Sequence, residues 1–212
     1  MKNLFKFILF VMISYLILNF IDYYRGKTAP IGLVYGVGFS DEYFIPEKIV
    51  IYEKNQQIGE LIMDDAGNNI KSKGEIPKGK MKFYYEYKPL KRNLFMEAEV
   101  KEKYLDGEAK AYYADGQVWI ETNYQKGQLD GLTKEYYRKS GRVKREIDYN
   151  QGRIDGSVKK YYDRGTMESD SSYLKSKLHG VSKVFYEKGN VKEEMSYIKE
   201  IIAQKKLYLK NI

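Results

Sequence analysis

From Gly107 onward the chain repeats itself every 24 or 25 residues, which restricts it to folds built from small stacked units. Four segments open at Gly107, Gly131, Gly156 and Gly180. A lysine follows three residues later in each: Lys110, Lys134, Lys159 and Lys183. An aromatic pair comes next: Tyr112-Tyr113, Tyr136-Tyr137, Tyr161-Tyr162 and Phe185-Tyr186. Turn glycines Gly116, Gly141, Gly165 and Gly189 precede an apolar residue two positions on, at Val118, Val143, Met167 and Val191. A late tyrosine closes each unit (Tyr124, Tyr149, Tyr173, Tyr197), followed by Leu129, Ile154, Leu178 or Ile202. A looser copy begins at Gly79 with Lys82 and Tyr84-Tyr85, and its longer loop surrounds Pro89.

Each unit reads as strand, glycine turn, strand, glycine turn. Dipeptides such as Asp115-Gly116 and Ser140-Gly141 supply the positive φ of tight hairpins. Glycine at this frequency disrupts every candidate helix. The 22 tyrosines suit a half-buried pleated surface. Placing Tyr113 opposite Val118 sets the pairs Lys110–Glu121, Lys134–Glu146, Lys159–Asp170 and Lys183–Glu194, each worth about 0.2–1 kcal/mol. The same register puts each opening glycine opposite a late tyrosine. One face then carries the second tyrosine, the apolar residue after the turn and the late tyrosine. The expected fold is all-β: an elongated single-layer antiparallel sheet of stacked β-hairpin repeats, held by tyrosine ladders more than by a deep core, and preceded by one N-terminal apolar helix.

Residues 1–24 form a separate segment. Lys2 and Lys6 precede Phe7–Ile21, which carries no charge, and Tyr23-Tyr24 suit a membrane interface. No small-residue cleavage site follows closely, so an uncleaved signal anchor is expected, with a cleaved signal and secretion as the alternative. The anchor places the repeats outside the cytoplasm, in the periplasm or at the cell surface. Residues 25–47 read as a Gly-containing lead-in linker. Residues 48–78 read as a degenerate N-terminal hairpin cap (Lys48–Tyr52 with Gln57–Met63) ending in a loop from Asp64. The repeat array occupies 79–212.

The pattern G-x-x-K-x-Y-Y-x-x-G…Y-x-x-G-x-L-x-G resembles the variant MORN repeat, and the chain looks like the YwqK-family antitoxins of toxin–antitoxin systems. The resemblance covers roughly Gly79 to Ile202. It implies a β-hairpin array that acts through protein contacts without catalysis. Ser176 and Glu200 depart from the pattern where Gly127 and Gly152 stand in other units.

The absence of cysteine excludes thiol chemistry and cysteine-ligated metals, and the single histidine, His179, excludes a paired-imidazole site. Asp64–Glu75 has acids at the ends of a twelve-residue span, but Ala66, Asn69 and Lys71 break a calcium loop. The column acids already face lysines. No enzyme activity, cofactor or metal is expected. Two surfaces are candidates for binding. Trp119 with Tyr112, Tyr136, Tyr161 and Phe185 reads either as packing within the sheet or as an exposed aromatic strip for a protein or sugar rings. Arg138, Lys139, Arg142, Lys144 and Arg145 crowd one hairpin tip, read as a solvated tip or as a contact for anionic lipid or an acidic partner. Nucleic acid is not expected, because 37 basic residues are interspersed with 29 acidic ones. The leading expectation is an envelope-anchored, non-catalytic binding or scaffold protein that presents the repeats to a protein partner. An antitoxin-like inhibitor and a glycan or anionic-lipid binding module are the alternatives.

Overall fold

The computed structural model describes residues 31–40, 43–53, 56–85, 94–198 and 201–208. The N-terminal segment 1–24, with its expected apolar helix, and Glu200 lie outside the described residues. Every regular element among the described residues is a β-strand. The first group is β1 (Ile31–Ser40), β2 (Tyr43–Glu53), β3 (Gln56–Met63) and β4 (Asn69–Gly74). The next is β5 (Gly79–Tyr85), β6 (Leu94–Lys101), β7 (Tyr104–Tyr112) and β8 (Val118–Gln125). There follow β9 (Gln128–Leu129), β10 (Gly131–Tyr136), β11 (Val143–Asn150) and β12 (Arg153–Tyr161). The last are β13 (Met167–Leu174), β14 (Lys177–Phe185), β15 (Val191–Ile198) and β16 (Ile201–Leu207). The stretch read as a lead-in linker therefore carries β1 and the start of β2. The expected hairpin over residues 48–63 is present, with Lys48 opposite Ile62 and Glu53 opposite Gln56.

The repeat strands pair in sequence order, antiparallel, from β5 to β16, with β9 pairing only β8. The short turns between units have φ > 0 at two successive positions: Lys126-Gly127, Gln151-Gly152 and Lys175-Ser176. That is the type I′ geometry that matches the twist of the flanking strands. All four expected lysine–acid pairs and all four glycine–tyrosine pairs are in register. The charged pairs also join one hairpin to the next. An unbroken alternating row crosses the sheet: Lys82, Glu97, Lys110, Glu121, Lys134, Glu146, Lys159, Asp170, Lys183, Glu194, Lys206.

One detail of the register differs from expectation. A bulge between Ala111 and Tyr112 puts Tyr112, not Tyr113, opposite Val118. The same slip precedes Tyr136, Tyr161 and Phe185. An inserted residue re-aims the side chain next to it, and here it frees the second tyrosine to reach the next unit. The Tyr113 hydroxyl donates to the Tyr136 carbonyl at 2.8 Å, Tyr137 to Tyr161 at 2.7 Å, and Tyr162 to Phe185 at 2.9 Å.

The single layer also needs correction. Pairing is continuous, because β5 joins β1 in parallel and the path runs on through β2 and β3 to β4. Yet β4, at the end of that path, touches β7, six places away. The sheet therefore curls over itself at its N-terminal end and encloses a core. Ile49, Ile51, Leu61, Phe83, Val100 and Leu105 have no exposed surface. Burying such a side chain stabilises by about 1.5–3 kcal/mol. Beyond Glu135 only Val158 and Ser182 are buried among the described residues, so the later units do lack a deep core.

The curl is latched by two buried asparagines, Asn68 just before β4 and Asn69 at its start. The Asn69 side chain donates to the Ile62 and Lys71 carbonyls and accepts the Leu105 N–H at 3.3 Å. Asn68 Oδ1 accepts the Leu129 N–H at 2.9 Å, and the Asn69 N–H donates to the Gly127 carbonyl at 2.7 Å. Gly127 fits because a Cβ there would lie 2.3 Å from that carbonyl's neighbour across the contact, the Asn69 oxygen.

Candidate functional site

The residues expected to form a binding surface are distributed differently by the fold. The Tyr112, Tyr136 and Tyr161 hydroxyls donate to Glu97, Glu121 and Glu146 of the preceding hairpins, at 3.0, 2.6 and 2.8 Å. These rings are half-buried, which matches the packing alternative. Burial, and then the adjacent carboxylate, pushes the Tyr136 and Tyr161 phenols up to about 12. Phe185 holds the same position without a hydroxyl. Trp119 does not belong to an exposed strip: it is only 8% exposed, packs in the core and lies 5.9 Å from the Tyr113 ring.

The basic tip is dispersed onto acids and carbonyls. Arg138 Nε pairs with Asp115 at 2.8 Å, and its guanidinium lies 5.8 Å from the Tyr113 ring centre. Arg142 Nη1 donates to the Asp163 carbonyl at 3.1 Å. Lys144 lies 3.3 Å from Glu135, and Arg145 pairs with the same carboxylate. Lys139 is exposed. A tip whose cations are engaged in this way offers little free charge to an anionic surface. Asp64, the first acid of the calcium-like span, caps its own turn by accepting the Ala66 and Asn68 N–H groups.

A different site emerges where the curl ends. The turn Asp65–Gly67 overhangs the face of β6–β8, β10 and β11 and leaves a cleft of about 310 Å³. Its walls are apolar, with Met63, Phe95, Trp119, Ile120, Tyr124 and Tyr149 among them. The Tyr124 hydroxyl donates to the Gly67 carbonyl at 2.9 Å, holding the overhang in place, and burial raises its pKa. At the polar end the Thr122 and Thr133 hydroxyls share a hydrogen bond at 2.5 Å, and the Glu135–Arg145 pair closes the cleft. Glu135 is 3% exposed; its pairing with two cations is what makes a buried carboxylate tolerable. The Trp119 Nε1–H is buried with no hydrogen-bond partner among the described residues. The cleft can therefore accept an apolar group. No group of three or more potential metal-ligating residues occurs among the described residues.

Sequence reasoning did not find this cleft, because the overhang comes from a hairpin about sixty residues upstream of the wall it covers. Nor did the columns mark it, because the position of Glu135 holds Ala111, Lys160 and Val184 in the other units, and Lys160 is exposed.

Comparison with known families agrees with the geometry. A model described as MORN repeat variant matches residues 105–126 and 178–199, which overlap the first and fourth units. MORN repeats are in general binding or scaffold modules. No curated protein matches the chain.

Proposed function

We propose that this chain is a non-catalytic binding scaffold, anchored in the cell envelope by residues 1–24, whose cleft receives an apolar side chain of a protein partner. The observation that carries the reading is the cleft itself. It has an apolar wall and a latched overhang, and the acid buried at its polar end, Glu135, is held by Lys144 and Arg145. Such a site can hold an apolar side chain. The anchor is supported by the uncharged run Phe7–Ile21 behind Lys2 and Lys6.

Photo-crosslinking tests the reading. A benzoylphenylalanine at Tyr149, on the cleft wall, is expected to capture one envelope protein in cells. The same group at Lys175, on an exposed turn, is expected to miss it. Adding Ile147→Trp, at a further residue of the cleft wall, to the Tyr149 probe fills the cleft and should abolish capture. Equal capture from both positions, or capture that survives the filling, contradicts the reading. Recovery of the full chain in the soluble cytoplasmic fraction contradicts the anchoring.

A further inference from the structure

The alternating charge row ends unfinished. Each lysine from Lys110 to Lys183 stands between two acids, one on each neighbouring strand. Lys206, on β16, has Glu194 on its inner side at 3.8 Å. Among the described residues β16 has one neighbour, β15. Its outer edge is also apolar at both ends, since Ile201, Ile202 and Leu207 are 72%, 53% and 69% exposed.

β16 breaks the repeat in one further way. The position beside the column lysine is Ala109, Thr133, Val158 or Ser182 in the four units, and it is Lys205 here. Lys205 points to the opposite face from Lys206 and lies 3.4 Å from Glu193. Adjacent lysines on an edge strand repel basic strands and would lose hydration against neutral ones, which protects against aggregation. They do not repel an acidic one. On its inner side β16 already accepts such a strand, because β15 meets the two lysines with the consecutive acids Glu193 and Glu194.

We propose that the outer edge of β16 accepts an extended acidic segment of a protein partner as a further antiparallel strand, with two consecutive acids, one for each face, over Lys206 and Lys205. Backbone hydrogen bonds supply affinity in strand addition, and the side-chain register supplies selectivity. The segment continues the row with the residue type that the preceding five hairpin junctions use. Apolar residues flanking its acids cover Leu207 and Ile202. This surface is separate from the cleft, so neither proposal depends on the other.

The test uses the full chain and two labelled peptides, followed by fluorescence anisotropy. One peptide copies Val191–Ile198 and therefore carries the Glu193-Glu194 pair. The other has lysine at both glutamate positions. The acidic peptide is expected to bind at least about tenfold more tightly, a difference of about 1.4 kcal/mol, and to weaken as salt rises. The variant Lys205→Glu/Lys206→Glu should reverse the preference, and Lys205→Gln/Lys206→Gln should remove it. Both positions are exposed, and circular dichroism verifies that each variant folds. Filling the cleft with Ile147→Trp should leave peptide binding unchanged. Equal binding of the two peptides, absence of saturable binding, or a preference that survives charge reversal overturns the proposal. So does self-association of the chain that the acidic peptide fails to displace, because the edge then serves a second copy.

Discussion

Lys103 and Ser176 sit at the second position of type I′ turns with φ of 72° and 65°, where Gly127 and Gly152 stand in other units. A left-handed conformation costs a residue with a Cβ roughly 1–2 kcal/mol. Lys103→Gly is therefore expected to stabilise the protein by about 1 kcal/mol, read as a higher urea midpoint at unchanged slope. Ser176→Gly should gain less, because the Ser176 hydroxyl accepts the Ile154 N–H at 3.1 Å and the substitution removes that bond. Two glycines give the opposite comparison. At Gly116 a Cβ meets nothing within 4 Å, so Gly116→Ala costs only the conformational term, about 1–2 kcal/mol. At Gly127 it meets the Asn69 carbonyl oxygen at 2.3 Å, and Gly127→Ala is expected to cost about 3 kcal/mol or more. Equal urea midpoints for the two alanine variants are incompatible with the latch.

Neighbouring hairpins are joined by hydroxyls and charges placed at repeat spacing. Tyr137→Phe removes one inter-unit hydrogen bond and should cost about 1 kcal/mol in urea titration, with Tyr162→Phe similar. The pH dependence follows from the same contacts. Lys82 beside Glu97, and Lys110 beside Glu121, hold those carboxyls below their ordinary 4.5. Their contribution is complete above that value and is lost as pH falls through the lowered one. Burial raises Tyr136 and Tyr161 from 10.0 to about 12, so their contribution is complete below pH 10 and disappears as pH rises toward 12. Thermal melting is expected to show a plateau between these limits; Tyr136→Phe should blunt the alkaline decline and lower the plateau by about 1 kcal/mol, because it removes the bond to Glu121. The lysine–acid columns were legible in the sequence because strand pairing converts a repeated spacing into a repeated contact. The Tyr113–Val118 pairing was not, because counting in twos along a strand carries no sign of an inserted residue. The hydroxyl bridges between units follow from that insertion and were equally hidden.

On the scale of the molecule, the two ends of the sheet are held by different forces. A curled layer covers β5–β8, while β11–β16 rely on ladders between neighbouring strands. The curl was not legible, because β1–β4 carry no repeat and their role appears only when Asn68 and Asn69 meet turns far along the chain. Asn69→Leu leaves the Ile62 and Lys71 carbonyls and the Leu105 N–H without their partner, and should cost about 3 kcal/mol or more. Near-repeating arrays behave as nearest-neighbour chains, in which units open separately when their interfaces differ in strength. Native-state hydrogen exchange resolves this directly. Amides of Phe83, Val100 and Leu105 are expected to exchange most slowly, with protection falling through β11 and β13 to its lowest values in β15 and β16. Uniform protection from β5 to β16, or the slowest exchange in β14–β16, contradicts an array anchored at its covered end.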